Sequence, residues 1–203
     1  CTGCLYDPSS VGGFSSIQGW DEATNNYVAP LTSATALTPG TGFWVYLGNG
    51  QTSTSPLTWT FNGPLVTGNV VVPLSNFSTN FNLIANPYAS PISWDQVLLE
   101  NGLGGPPFTT IYIFNPDLGV TTTYESGVGS SHVTGGATNV IPAGQGFYFE
   151  TDIFTSNITF SETQKVSNNT STDPLLKSSA RTQEKNSKKI TRLKLAGAFD
   201  WDM

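Results

Sequence analysis

The chain has 203 residues, 37% of them hydrophobic and 11% charged, against about 25% charged in an average soluble protein. Thr, Ser and Asn, with 21 Gly and 13 Pro, take the place of charge; this excludes a helical bundle, and no run of about 18 apolar residues exists to cross a bilayer as a helix. Residues 1–164 hold ten acids and no Lys or Arg, and all eight basic residues lie in the last 39 positions beside four acids, so the clustered cations that nucleic acid or anionic lipid demands are missing from the body.

In chain order, Cys1 and Cys4 form a CxxC followed by loop-like residues through Gly13. Zinc needs a second ligand pair, and His132 is the only histidine, so the two cysteines read as a structural pair. No signal-peptide pattern opens the chain, and any export signal is expected upstream. Short apolar blocks fenced by Gly, Pro and Asn then predict strands over 16–20, 42–47, 57–61, 70–73, 81–85, 110–114, 121–125, 146–150 and 157–160. Asn49-Gly50 and Asn62-Gly63 supply tight turns. One short helix is predicted over 94–101, capped by Ser93, carrying Trp94, Val97 and Leu98 on one face and stopped at Gly102. Residues 165–189 are polar and read as a linker, while 190–203 alternate as a strand without a partner.

The chain also repeats itself. "GWDEATNNYVA", "LTPGTGFWVY" and "LTWTF" recur in order as "IFNPDLGVTTTYES", "IPAGQGFYFE" and "NITF". Leu37, Pro39, Gly42 and Phe43 thus correspond approximately to Ile141, Pro142, Gly146 and Phe147. Two copies of one unit, each giving an aromatic strand to a shared core, are expected. The fold class is accordingly all-β: an antiparallel, sandwich-like body of two pseudo-repeats with one helix. The divisions are 1–80 for a first repeat lacking its opening, 81–164 for the second, 165–189 for the linker, and 190–203 for the first strand of a following domain.

The stretches "FNLIANPYASPISWDQV", "IYIFNPD" with "TTTYESGVG", "IPAGQGFYFE" and "ITFSE" resemble a β-module of large secreted surface proteins of Bacteroidota that carry a C-terminal type IX secretion sorting domain. The resemblance covers most of residues 14–165. It implies export to the outer cell surface or beyond, neighbouring domains of the same polypeptide as partners, and no catalytic residues. The sorting domain itself has no counterpart in these residues.

Candidate sites come from acids and aromatics. Asp95, Asp117, Glu125, Glu150 and Asp152 offer carboxylates, but no cation of the body could orient an anionic substrate, and they read as solvated surface rather than a hydrolase pair. The chain is not expected to be an enzyme. For a hard cation such as Ca2+, Asp21 with Glu22 and Asn115 with Asp117 are the candidates, without a D-x-D-x-D-G run; otherwise no cofactor is expected. In "GFWVYL", Trp44 and Tyr46 share one face. With Trp59, and more widely Trp94, Tyr112, Tyr148 and Phe149, they are the candidates for a sugar-stacking platform, against packing between the repeats. The expected role is a non-catalytic structural or adhesion module, acting as spacer or interaction domain. Its alternative is a carbohydrate-binding module that holds glycan, with a glycan or a surface protein as partner; exposure of Trp44 and Tyr46 in a groove would favour it and their burial would count against it.

Overall fold

The segment IQGWD forms strand β1 (Ile17–Asp21), turns back through Thr24 and Asn25, and pairs antiparallel with β2 (Asn26–Val28). Asn25 takes a left-handed φ of 53°, a conformation that Asn tolerates better than most residues. The other edge of β1 receives β3 (Trp44–Val45), giving the order β2-β1-β3. Residues 17–28, 37–45, 64–115, 119–131 and 136–167 of this computed structural model are described, and among them the architecture is all-β with one short helix. The turns at 49–50 and 62–63, the strand at 57–61, and the segment from 168 onward lie outside the described residues.

A two-stranded sheet follows, in which β4 (Val70–Pro73) pairs with the last of the described strands, β12 (Asn157–Phe160). The largest sheet holds β5 (Phe81–Ala85), β7 (Thr110–Asn115), β8 (Val120–Glu125), β9 (Gly129–Ser130) and β11 (Gly146–Glu150), in the order β5-β11-β7-β8-β9. Every pair in it is antiparallel. Its members β8-β7-β11 repeat the order β2-β1-β3. The short strands β6 (Ile92–Ser93) and β10 (Val140–Ile141) pair with each other. With β2 and β9, these two- and three-residue strands escape periodicity, because a two-residue period cannot be read from so few positions.

Strand β7 shows how alternation divides the large sheet. Ile111, Ile113 and Asn115 are buried on one face, while Tyr112 and Phe114 are half-buried on the other. The inner face adds Ile84, Phe147 and Phe149, and packs against Val72, Ile158 and Phe160 of the β4/β12 pair and against helix α1 (Trp94–Asn101). Ser93 caps the helix by accepting from the Gln96 N–H at 3.4 Å, and Gly102 ends it at φ 70°. Trp94 meets Phe147 and Phe149 edge-on at 5.4 and 5.6 Å. Asn101 exchanges two 2.8 Å hydrogen bonds with the backbone of Thr159, which ties the helix end to β12.

The Asn-Pro-Tyr stretch acquires its physical meaning here. Fully buried Asn86 donates to the carbonyls of Ser90, Ile141 and Pro142 at 2.9–3.1 Å and accepts from the Tyr88 N–H at 3.0 Å. One side chain thereby closes its own turn and fastens the turn that leads into β11. Tyr88, also fully buried, sends its hydroxyl to the Gly68 carbonyl at 2.6 Å.

The two Pro/Gly turns match in detail. Thr41 N–H bonds to Thr38 O, and Gln145 N–H to Pro142 O, both at 3.1 Å, with Gly40 and Gly144 at positive φ. Both turns dock on β5, from opposite edges: Gly146 pairs with Ala85 and Asn86 N–H bonds to Gln145 O on the β11 side, while on the other side Thr41 bridges to Ile84, Gly42 N–H bonds to Leu83 O, and Ala85 N–H bonds to Gly40 O. Residues 40–42 therefore line the free edge of β5. That is why the strand predicted over 42–47 starts only at Trp44; its residues 46 and 47 lie outside the described residues. Gly40 has a left-handed φ of 87°, and a Cβ there would collide with Val72 Cγ2. Gly40→Ala is expected to lower stability by about 3 kcal/mol, combining a left-handed Ala with an overpacked contact, as read from the midpoint of urea unfolding.

The body also runs slightly beyond the predicted linker boundary. Lys165 bridges to Ile92, and Val166 N–H bonds to Pro91 O at 3.0 Å. Lys165 pairs with Glu162 and lies 4.3 Å over the Tyr88 ring. A polar composition suggested a linker from 165, but a cation over a buried aromatic ring and a backbone bridge hold these first residues in place.

Candidate functional site

The outer face of the large sheet is where the two repeats meet. Alternation places Phe81 and Leu83 of β5, Tyr148 of β11, and Tyr112 and Phe114 of β7 on it, all half-buried. Onto it β1 and β3 lay their indoles: Trp20 stands edge-on to Tyr148 at 5.8 Å, and Trp44 edge-on to Phe114 at 5.2 Å. Such orthogonal contacts each contribute about 1 kcal/mol beyond burial. Trp20 Nε1 donates to the Phe81 carbonyl at 2.7 Å. Trp44 Nε1 donates to the Tyr148 hydroxyl at 2.8 Å, and that hydroxyl donates to Tyr27 at 3.0 Å. Trp44 and Tyr148 occupy equivalent positions in "TGFWVY" and "QGFYFE", so the repeats touch through matching residues. Burial and the Tyr27 contact hold the Tyr148 phenol well above its ordinary pKa, against the opposing effect of the Trp44 N–H.

This cover is incomplete. Beside Trp20 an open groove of about 370 Å3 remains, with Phe81, Tyr112 and Tyr148 from the sheet, Trp20 and Tyr27 from the hairpin, and Asn25 and Thr79 as its polar members. Tyr27 is 49% exposed.

The groove is held together by Glu22, which is buried although it sits at the start of the β1–β2 turn. Its carboxylate accepts from Ser75 Oγ at 2.7 Å and from the N–H groups of Phe77, Ser78 and Asn80 at 2.8, 2.6 and 2.8 Å. The loop so gripped carries Thr79 and leads to Phe81, so one carboxylate joins the groove members of the hairpin to those of the loop. Burial alone would raise its pKa, but the Ser75 hydroxyl and the three backbone donors outweigh it and bring it down to about 2.

The residues singled out from sequence fall in different places. Trp44 is half-buried between the repeats; Tyr46 and Trp59 lie outside the described residues, as do Asp117, His132, Cys1 and Cys4. Tyr112 and Tyr148 do belong to the groove. Trp94 and Phe149 do not: both are fully buried in the core, because the helix brings Trp94 onto the inner face to which Phe149 also points. Of the cation candidates, Asp21 accepts from Ala23 N–H and Thr24 Oγ1 within its own turn, Glu22 is turned inward on four donors, and Asn115 is buried. Among the described residues no three His, Cys, Asp or Glu side chains converge as a metal site. Asp95 binds Tyr124, Ser126 and Asn139, and Asp152 caps the N–H groups of Phe154 and Thr155. Trp20, Tyr27 and Phe81 were missed as site residues. The repeat that aligns the hairpin with "IFNPDLGVTTTYES" carried a signal, since it puts Trp20 and Tyr27 on the edge of a shared aromatic interface.

No curated protein and no solved structure matches the chain significantly. A family model matches residues 8–198 and so extends over both repeats. On that match the chain belongs to the family described as Domain of unknown function (DUF8693).

Proposed function

We propose that this chain is a non-catalytic interaction module of an exported bacterial surface protein, an adhesion-type domain rather than an inert spacer. The observation that supports it is the groove: five aromatic side chains from both repeats around an open concavity, braced by Glu22. A spacer needs a covered sheet. Here the outer face is left partly open where the hairpin ends, and the walls are set by hydrogen bonds rather than free to collapse. The setting in a Bacteroidota surface protein exported by type IX secretion rests on the motifs "FNLIANPYASPISWDQV" and "IYIFNPD". The carboxylates Asp95 and Asp152 are engaged in holding loops, which favours a binding role over a hydrolytic one.

Beads coated with the chain should be retained on at least one surface of a panel of mucin, collagen, plant cell wall and bacterial cells, and Tyr27→Ala should release them. Retention on every surface no greater than that of albumin-coated beads, or retention indifferent to Tyr27→Ala, would return the chain to the role of spacer.

A further inference from the structure

We infer that the groove beside Trp20 takes a neutral sugar ring of a polysaccharide. The inference rests on the interaction-module reading and names the ligand class of that same site.

Charge narrows the ligand first. Residues 1–164 contain no Lys or Arg, and none of the groove members is an acid or a base. A carboxylate, sulfate or phosphate would find no counter-ion there, and a cation would find no carboxylate, because Glu22 is spent on the loop behind. The groove thus offers no ionic partner to either sign of charge, which favours an uncharged occupant.

The hydrogen-bonding groups narrow it again. Aromatic grooves that seat a Pro-rich peptide offer its carbonyls an N–H donor, often an indole. The groove's indole, Trp20, has its N–H committed inward to the Phe81 carbonyl, and the neighbouring Trp44 gives its own to Tyr148. The polar groups left at the rim are hydroxyls and an amide. Trp44 donates to Tyr148, which donates to Tyr27, so the chain of donors ends with the Tyr27 O–H pointing its proton onward from an exposed residue. Thr79 Oγ1 accepts from Phe81 N–H at 3.4 Å and keeps its proton. The Asn25 side chain, exposed at the turn, can both give and accept. Groups that donate and accept in turn suit a ligand made of hydroxyls.

The aromatic members complete the fit. A pyranose has one face of C–H bonds and an equator of hydroxyls, so it needs a flat apolar surface with polar groups around it. Phe81 and Tyr112 meet edge to face at 5.4 Å and 67°, so each ring offers its own surface as a wall for the C–H face rather than sharing one plane, and Trp20 flanks them. The open side lets a polymer enter and leave, so that a unit within a long chain, not only its end, can be held.

The test uses the whole chain, with neutral cello-, manno- and galacto-oligosaccharides as probes, and polygalacturonate and a Pro-rich peptide as comparisons. Intrinsic Trp fluorescence, which Trp20 and Trp44 make sensitive to this site, and two-dimensional NMR are the readouts. At least one neutral oligosaccharide is expected to shift both signals. Tyr27→Ala is expected to weaken it about tenfold, the loss of one aromatic contact, and Tyr27→Phe, which keeps the ring, should weaken it less. Val128→Ala, removing a side chain 77% exposed in the turn between β8 and β9 and outside the groove, should change nothing. A silent response to every neutral sugar from folded protein overturns the inference, as does a stronger response to polygalacturonate or the peptide. If beads still adhere through Tyr27 while no sugar competes, the sugar is refuted and the interaction module stands. If adhesion also ignores Tyr27, both fall.

Discussion

Glu22→Ala is expected to cost about 4 kcal/mol of stability, because it strands one hydroxyl and three backbone N–H groups that the carboxylate now satisfies. The loop from Ser75 to Asn80 loses its hold on the β1–β2 hairpin, and the groove loses the bond between its two sides. Glu22→Gln separates charge from shape. A carboxyl held at about 2 in the folded chain, against an ordinary 4.5, contributes about 3 kcal/mol near neutral pH. The sign follows from the depressed pKa: the contribution is complete above about 4.5 and disappears as pH falls through about 2. The gap in urea midpoint between wild type and Glu22→Gln should therefore be wide at pH 7 and close steadily from pH 5 towards pH 2. A gap independent of pH would mean that the carboxylate is not the group holding the loop. Because the comparison is a difference between two chains, the lowered pKa values of Glu100 and Asp152 cancel from it.

Trp94→Ala should be as damaging for a different reason. The indole is fully buried between Phe147, Phe149 and the helix, and its removal leaves a cavity beneath the large sheet; about 4 kcal/mol is expected. Trp94→Phe should cost only about 1 kcal/mol. It forfeits some volume but also deletes an Nε1–H that has no acceptor among the described residues, and an unpaired buried donor is itself unfavourable by about 1–3 kcal/mol. Thermal unfolding followed by near-ultraviolet circular dichroism reads both variants. Equal losses for Ala and Phe would mean that the indole N–H is satisfied in a way the geometry does not show.

Much of the fold is legible in local chemistry. The helix over 94–101 follows from Ser93, the apolar positions of Trp94, Val97 and Leu98, and Gly102, all within one stretch of sequence. Strands over 70–73, 81–85, 146–150 and 157–160 follow from short apolar blocks with clear turn residues on both sides. The matching turns at 38–41 and 142–145 are visible as "TPGT" and "PAGQ". The pairing of β3 could not be read so well. The residues just before it are drawn off to the edge of β5 by backbone hydrogen bonds to Leu83 and Ala85, and the absence of a Cβ at Gly42 is what lets the backbone come close enough to Ile84 and Leu83 to make them.

The groove was legible only in part. Tyr112 and Tyr148 stood among the candidate aromatics, but so did Trp94 and Phe149, which are core. Alternation tells which residues share a face, not which face a helix will cover. From sequence Glu22 reads as a turn acid open to a cation, because burial of a carboxylate depends on donors from residues 75–80, more than fifty positions away.

By itself, then, the sequence determined what depends on neighbours along the chain: an all-β fold with one capped helix, repeated Pro/Gly turns, and a body without cations. Only the tertiary structure decided which aromatic residues became core and which became groove, and that a single acid would brace that groove. Those outcomes arise from packing and hydrogen bonds between residues distant in sequence, whose free energy no local pattern records.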